Sequence, residues 1–277
     1  MGSMSVPNLI LNNGIEIPQL GFGVFKVPAG GTKEVVLKAL QTGYRHIDTA
    51  RLYGNEAEVG EAVRESGLDR DAVFVTTKVW NDDQGYDATM RAFDASMDRL
   101  GFDVLDLYLI HWPVPHQDLY TDTWRAMEKL YQDGRIRAIG VSNFNPDHLR
   151  RLVEETDVVP VLNQVELHPY LQQEAVRKTD ESLDVRTEAW GPIARGGELL
   201  SDPVIVRLAA KHGKTPAQVV LRWHIELGNV VIPKSVTPSR IEENFDVFGF
   251  ALDEEDMAAI AELERGQRTG PDPDELR

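Results

Sequence analysis

The chain contains no cysteine among its 277 residues. This absence excludes disulfide bonds, thiolate nucleophiles and metal or iron–sulfur sites built on cysteine. Basic residues are also scarce, because 29 Lys and Arg stand against 45 Asp and Glu, for a net charge of −16. Such a balance disfavours broad electrostatic binding of nucleic acid or anionic lipid, although it leaves room for a local basic pocket. We therefore expect neither a nucleic-acid nor a membrane partner.

Long apolar runs are missing as well. No segment approaches the roughly 18 apolar residues of a membrane-spanning helix. The N-terminus, Met1-Gly2-Ser3-Met4, has neither the basic stretch nor the apolar run of a signal peptide. We expect a cytoplasmic protein, and a monomer. Residues 1–3 are interpreted as a cloning remnant, since a second methionine follows them.

A β-hairpin is predicted at the N-terminus. Leu9–Leu11 and Ile15–Ile17 flank Asn13-Gly14, a pair that tolerates the positive φ of a tight hairpin turn. We expect this hairpin to serve as a plug or a lid for the domain that follows. With 42% hydrophobic residues, the chain is long enough for one α/β domain of about 250 residues, and residues 1–277 are interpreted as a single domain.

After the hairpin, short apolar segments alternate eight times with amphipathic ones, as in consecutive βαβ units. The absence of a long break favours a closed (β/α)₈ barrel over an open doubly wound sheet. An open dinucleotide-binding sheet would also carry G-x-G-x-x-G at its first turn, where Gly21–Lys26 has Lys in place of the third glycine. The predicted strands are Leu20–Val24, His46–Thr49, Val73–Lys78, Leu105–His111, Ala138–Ser142, Val161–Val165, Val185–Trp190 and Val230–Pro233.

Polar side chains stand near the carboxyl ends of these strands. In a barrel those ends form one face, which is where active sites lie, so residues distant in sequence converge there. The residues concerned are Asp48, Lys78, His111, Ser142, Asn143, Gln164 and Lys234. The sequence therefore predicts an active site at this face.

The same residues belong to motifs that resemble those of aldo-keto reductases. The motifs are Gly43–Ala50, Tyr53–Glu56, Thr77–Trp80, Ile110–Pro113, Gly140–Phe144 and Ile232–Ser235, and they span almost the whole chain. The Trp190-Gly191-Pro192 segment resembles the bacterial 2,5-diketo-D-gluconate reductase branch. The resemblance implies an NADPH-dependent enzyme that reduces small aldehydes and ketones.

A tetrad of Asp48, Tyr53, Lys78 and His111 is implied by the resemblance, and chemistry explains these residue types. A carbonyl that accepts hydride becomes an alkoxide, which needs a proton and a positive environment. Tyr53 would give the proton, and the Lys78 ammonium would favour its phenolate form, since a free phenol titrates near about 10. Asp48 would hold Lys78, and His111 would orient the carbonyl oxygen.

Each of these residues taken alone has a plainer explanation. Asp48 and Lys78 would form a structural ion pair, Tyr53 would be an ordinary aromatic, and His111 would be a core histidine. Two other functions also stay open: a cofactor-binding regulatory protein on a barrel, or a lyase that uses Lys78 as a Schiff base. The intact tetrad argues against the first of these, and the carboxylate partner of Lys78 argues against the second.

The resemblance also implies a cofactor site. Ser142, Asn143 and Gln164 would bind the nicotinamide carboxamide, and Trp190 would stack on the ring. Many family members carry Tyr at that position; Trp keeps a flat face, while its hydrogen bonding stays open. A loop at Gly191, Pro192, Ile193, Gly196 and Gly197 would cover the pyrophosphate. The adenosine 2′-phosphate and adenine would bind at a helix start, to Lys234, Ser235, Val236, Arg240, Glu243 and Asn244.

The substrate pocket is expected to be apolar, because Phe22, Trp80 and Trp112 lie near strand ends beside the tetrad. The tail after Gly266 is too short and polar to build a deep hydrophobic lid. Small dicarbonyls, aromatic aldehydes and keto sugars therefore fit better than steroids. The remaining candidates, His46, His168, His212 and His224, show no ligand spacing and are interpreted as structural, with no metal site.

Overall fold

The computed structural model describes residues 6–276. Strand β1 (Asn8–Ile10) pairs antiparallel with β2 (Glu16–Pro18), and Gly14 adopts φ +84° in the turn between them. The predicted hairpin is therefore confirmed. The expected cloning remnant at residues 1–3 lies outside the described residues.

Parallel strands follow the hairpin, and each pairs with the next one along the chain. These strands are β3 (Phe22–Gly23), β4 (His46–Asp48), β5 (Phe74–Val79), β6 (Leu105–Ile110), β7 (Ile136–Ser142), β8 (Leu162–Glu166), β9 (Arg186–Trp190) and β10 (Val230–Val231). The first and last strands also meet, because the Gly21 N–H donates to the Val231 carbonyl at 2.8 Å and the Val231 N–H donates to the Gln19 carbonyl at 2.9 Å. The sheet thus closes, and the predicted barrel is confirmed.

Helices connect the strands. They are α1 (Ala29–Thr42), α2 (Glu56–Glu65), α3 (Tyr86–Leu100), α4 (Tyr120–Gln132), α5 (Pro146–Glu155), α6 (Glu174–Ser182), α7 (Pro203–His212), α8 (Pro216–Glu226), α9 (Pro238–Phe245) and α10 (Glu254–Ala261). Proline is the first residue of four of them, α5, α7, α8 and α9, where its fixed φ suits the first helical turn. The helix predicted to start near Pro238 is present as α9.

The hairpin closes the amino end of the barrel. Leu11 and Ile17 pack in one apolar cluster with Phe74, Leu162 and Val230, the first residues of β5, β8 and β10. The hairpin is consequently a plug at the end opposite the strand carboxyl ends, and it is not a lid over them. Among residues 6–276, no helix is long and apolar enough to cross a membrane.

Candidate active site

The tetrad assembles at the carboxyl ends of adjacent strands. Asp48 ends β4, Lys78 lies in β5, His111 follows β6, and Tyr53 lies in a short 3₁₀ turn after β4. The Lys78 ammonium is fully buried; its Nζ lies 2.7 Å from Asp48 Oδ1 and 2.8 Å from the Thr49 carbonyl oxygen. The same nitrogen lies 3.5 Å from the hydroxyl oxygen of Tyr53. Residues far apart in sequence thus form one hydrogen-bonded chain.

The His111 ring packs next to the Tyr53 ring. Their ring centroids lie 5.8 Å apart in an edge-on arrangement, and the Trp80 ring packs edge-on against His111 at 5.2 Å. The main chain of His111 is fixed from the next strand, because Asn143 Nδ2 donates to its carbonyl oxygen at 2.9 Å. The His111 ring therefore packs against the Tyr53 and Trp80 rings, while its main chain is anchored to Asn143.

Burial and charge set the protonation of the tetrad at neutral pH. Burial raises the pKa of Tyr53, while the Lys78 charge lowers it without overcoming burial. Burial alone would lower the pKa of Lys78, but Asp48 and Tyr53 outweigh it, so that pKa is raised. Burial and the Lys78 charge place the pKa of His111 well below its usual value. The site therefore combines a protonated phenol, a charged ammonium and a neutral imidazole.

A cavity of about 1130 Å³ opens over these residues. It is lined by most of the sequence-predicted site residues, namely Asp48, Tyr53, Trp80, His111, Trp112, Ser142, Asn143, Gln164, Trp190, Gly191, Pro192, Ile193, Lys234, Ser235, Arg240, Glu243 and Asn244. Lys78 lies directly beneath this lining, within reach of Tyr53. Val236 is outside the lining and 51% exposed.

Phe22 requires a correction, because it does not wall the pocket. Its side chain is buried in the core and packs edge-on against Tyr44, with ring centroids 5.5 Å apart. Successive side chains of a strand point to opposite faces, and it is the next residue, Gly23, that lines the cavity. The aromatic nearest to Tyr53 on this loop is instead Phe25, at 5.1 Å between centroids.

The proposed nicotinamide residues are fixed to one another. Ser142 Oγ donates to the backbone carbonyl oxygen of Gln164 at 2.7 Å, and Trp190 Nε1 donates to Asn143 Oδ1 at 2.8 Å. Asn143 adopts φ +61°, a left-handed conformation that asparagine tolerates better than most residues. These bonds connect the carboxyl ends of β7, β8 and β9 to one another.

Positive charge collects at the other end of the cavity, near the start of α9. Lys234 and Arg240 are exposed there, and neither forms an ion pair with the residues that the structure describes. The start of an α-helix also offers free backbone N–H groups to an anion. In a chain with net charge −16, two unpaired cations beside a helix start make a local site that suits a phosphate group.

Other cavity residues were missed by the sequence analysis. They are Phe25, Lys26, Leu52, Arg195, Leu200, Thr215, Pro216, Ala217, Ile232, Pro271 and Leu276. In the sequence, Lys26 stands out only as the residue in place of the third glycine of G-x-G-x-x-G. Pro271 and Leu276 belong to the C-terminal tail, so the tail contributes to the cavity wall.

A buried carboxylate holds this tail in place. Glu166, at the end of β8, accepts hydrogen bonds from the Thr269 N–H at 2.6 Å, the Thr269 hydroxyl at 2.7 Å, the Gly270 N–H at 2.9 Å and His168 Nε2 at 2.9 Å. Gly270 lies so close to Trp190 that a Cβ there would come within 2.6 Å of the indole. The tail therefore supports the outer edge of the Trp190 ring.

The four histidines interpreted as structural each contact a protein group. His46 Nε2 lies 3.2 Å from Thr76 Oγ1, and His168 Nε2 lies 2.9 Å from Glu166 Oε1. His212 Nε2 lies 2.7 Å from Asp256 Oδ2, and His224 Nε2 lies 3.0 Å from the Pro192 carbonyl oxygen. Within residues 6–276, no group of three or more His, Asp or Glu is arranged to hold a metal ion.

This geometry defines a (β/α)₈-barrel enzyme with its active site at the carboxyl ends of the strands. The sequence profile of the Aldo/keto reductase family matches residues 20–265. The chain belongs to this family of oxidoreductases, as its motifs indicated.

Named relatives agree with this assignment. The glyoxal reductase of Bacillus subtilis is 51% identical over 267 residues, which cover 96% of this chain and 96% of the relative. The methylglyoxal reductase DkgA of Salmonella typhimurium is 49% identical over 275 residues, which cover 99% of each chain. Among solved structures, a Gox0644 mutant in complex with NADPH superposes with a TM-score of 0.95 at 49% identity, covering 99% of this chain and 100% of that one.

Proposed function

We propose that this aldo-keto reductase uses NADPH to reduce small aldehydes and ketones to alcohols, with Tyr53 as the general acid. The single observation that supports this role most strongly is the position of the Lys78 ammonium. It lies between Asp48 Oδ1, at 2.7 Å, and the Tyr53 hydroxyl, at 3.5 Å, in a cavity that His111 also lines. NADPH supplies the hydride when it is bound.

The tetrad residues then stabilise and protonate the substrate oxygen. A carbonyl that accepts hydride becomes an alkoxide, and a positioned acid accelerates that step by about 10² to 10⁴. The protonated Tyr53 hydroxyl donates the proton, and the adjacent Lys78 ammonium stabilises the phenolate left behind. The neutral imidazole of His111 donates a hydrogen bond to the carbonyl oxygen and orients it.

The cofactor fits the residues that line the cavity. The exposed cations Lys234 and Arg240 at the start of α9 are suited to the 2′-phosphate that distinguishes NADPH from NADH. Asn143 and Gln164 offer amide groups to the nicotinamide carboxamide, and Trp190 offers a flat ring for stacking. Lys234 and Arg240 thus concentrate positive charge at this end of the cavity, in a chain whose net charge is −16.

The substrates we propose are small dicarbonyls, aromatic aldehydes and short keto sugars. Trp80, Trp112 and Leu52 supply apolar area on the cavity wall, and the polar groups are concentrated around Tyr53 and His111. The names of the relatives from Bacillus subtilis and Salmonella typhimurium point in the same direction. A substrate panel followed by NADPH absorbance tests this proposal, and the absence of turnover with every dicarbonyl and aldehyde would contradict it.

The lyase alternative receives no support from the site. A Schiff-base lysine must give up its proton readily, whereas the Lys78 ammonium is paired with Asp48 and its pKa is raised by that carboxylate and by Tyr53 against burial. Borohydride treatment in the presence of methylglyoxal separates the two chemistries. Covalent trapping of substrate on Lys78 would favour the lyase, and an unmodified Lys78 favours the reductase.

A further inference from the structure

A second carboxyl group lies buried next to the tetrad. Glu188, in β9, has no exposed surface, and its Oε2 accepts a hydrogen bond from Gln164 Nε2 at 3.1 Å. Its other oxygen has no hydrogen-bond partner among the described residues, and His46 Nε2 lies 3.8 Å away from it. A buried carboxyl with an unsatisfied oxygen costs free energy. The tetrad does not require this residue, so its position needs an explanation.

Gln164 connects this carboxyl to the tetrad. Its Nε2 donates to Asp48 Oδ2 at 2.7 Å as well as to Glu188 Oε2, and the other oxygen of Asp48 is held by Lys78. An amide NH₂ group has two N–H bonds. The two carboxyl groups therefore use both donors of Gln164, one each.

This arrangement fixes what Gln164 offers to a ligand. With both N–H groups engaged, the polar atom that stays available on its amide is the carbonyl oxygen, an acceptor. Gln164 lines the cavity, whereas Glu188 lies behind it. A ligand at this point of the wall must consequently bring a donor, and the carboxamide NH₂ of nicotinamide is such a donor.

We propose that Glu188 is a positioning residue that fixes the orientation of the Gln164 amide, so that its carbonyl oxygen accepts from the nicotinamide carboxamide. The inference rests on the cofactor site described under the proposed function, and it adds the group that orients this site from behind. Asp48 alone would hold only one N–H of Gln164 and would leave the amide free to turn about that bond. Glu188 removes this freedom before the cofactor binds, which reduces the entropy lost on binding.

The charge state of Glu188 is consistent with a role as an acceptor. Burial and the nearby charge of Asp48 raise the pKa of Glu188 to about 8, although Gln164 and Lys78 act in the opposite direction. The polar groups around it are His46 and Asp48 from β4, Lys78 from β5 and Gln164 from β8. At neutral pH the carboxyl is mostly neutral, and the substitution Glu188→Gln would therefore preserve both its shape and its charge.

The test compares Glu188→Gln with Glu188→Leu by calorimetric titration of NADPH at pH 7. Leucine fills the space without an acceptor, and we expect the Kd for NADPH to rise about tenfold, as for the loss of one hydrogen bond. Glutamine keeps the acceptor, and its Kd should stay within about twofold of the wild-type value. In a Gln164→Met background, Glu188→Leu should add no further effect, because Glu188 acts through that amide.

A matched control is available in Asp180, a buried carboxyl that accepts from Asn163 at 3.1 Å and Thr187 at 2.7 Å and lies outside the cavity lining. Asp180→Asn should lower the melting temperature and leave the Kd for NADPH unchanged. An unchanged Kd in folded Glu188→Leu would overturn the inference. So would a tenfold loss in Glu188→Gln, which keeps the test decisive even if the leucine variant does not fold.

Binding and turnover also separate this inference from the proposed function. Weak NADPH binding in Glu188→Leu supports the positioning role even if the wild-type enzyme reduces none of the proposed carbonyls. Conversely, active reduction of methylglyoxal by the wild type, together with unchanged NADPH binding in both variants, overturns the positioning role alone.

Discussion

The indole N–H of Trp190 donates to the side-chain oxygen of Asn143 at 2.8 Å. Asn143 in turn donates to the backbone carbonyl of His111 at 2.9 Å. The tryptophan therefore makes a polar contact in addition to offering a flat ring, which answers the question that the sequence left open at this position. The contact ties the proposed stacking surface to the loop that carries His111.

Trp190→Phe should weaken NADPH binding by about 1 to 3 kcal/mol, because it keeps an aromatic face but leaves the Asn143 oxygen without its donor. Calorimetric titration measures the effect directly. Trp124→Phe is the matched control, since that indole donates to the Val158 carbonyl at 2.9 Å and lies outside the cavity lining. Wild-type affinity in Trp190→Phe would show that this hydrogen bond does not organise the cofactor site.

Arg240→Ala should weaken NADPH binding by about 1.5 to 3 kcal/mol, the usual value for a hydrogen bond to a charged group. NADH lacks the 2′-phosphate, so its Kd should hardly change. Arg207→Ala, which removes an exposed arginine of α7, controls for the loss of a surface charge. Equal weakening of both cofactors would mean that Arg240 does not recognise the phosphate.

The apolar wall around Trp112 predicts small substrates with modest selectivity among them. An apolar pocket distinguishes one methylene by only about 1 to 3 kcal/mol. We expect methylglyoxal and nitrobenzaldehydes to have higher kcat/KM values than a steroid ketone. The reverse order would contradict the proposed pocket, and kcat/KM values for Trp112→Ala would then show whether this ring limits the size of the substrate.

The tail contact predicts a pH-dependent contribution to stability. Burial alone would raise the pKa of Glu166, but hydrogen bonds from His168, Thr269 and Gly270 outweigh it and lower the pKa to about 2. A lowered pKa stabilises the fold fully above the unfolded value of about 4.3. That contribution, on the order of 3 kcal/mol, is lost as the pH falls from about 4.3 towards 2.

Urea unfolding at a series of pH values from about 5 down to about 2.5 measures this contribution. The free energy of unfolding of the wild type should fall more steeply with decreasing pH than that of Glu166→Gln. Glu181→Gln changes an exposed glutamate and should follow the wild type. Parallel curves for wild type and Glu166→Gln would contradict the assignment of Glu166 as the group that holds the tail.

The barrel and most of its site were predictable because their signals are local. Each strand is a short apolar run, and the polar residue that ends it, such as Asp48 or His111, appears in the sequence at that point. The first and last strands of the barrel are shorter than predicted. β3 covers only Phe22–Gly23 and β10 ends at Val231, and Pro233 lacks the N–H that would continue the ladder.

The remaining features depend on contacts between distant segments. Glu166 accepts hydrogen bonds from Thr269, which is 103 residues away in sequence, and no sequence motif predicts that contact. The proposed role of Glu188 could not be predicted from the sequence either, because it depends on contacts with Gln164 and Asp48 on other strands. Phe22 was assigned to the pocket from its place near a strand end, whereas the alternation of side chains in β3 decides which neighbour faces the cavity.

Single-turnover reduction of methylglyoxal by Tyr53→Phe tests the role of Tyr53 as the general acid most directly. The variant removes only the hydroxyl next to Lys78. NADPH absorbance should show a rate at least about a hundredfold below the wild type, while titration gives an unchanged Kd for NADPH. Tyr86→Phe, an exposed tyrosine at the start of α3, should react at the wild-type rate. A near-normal rate in Tyr53→Phe would contradict Tyr53 as the general acid.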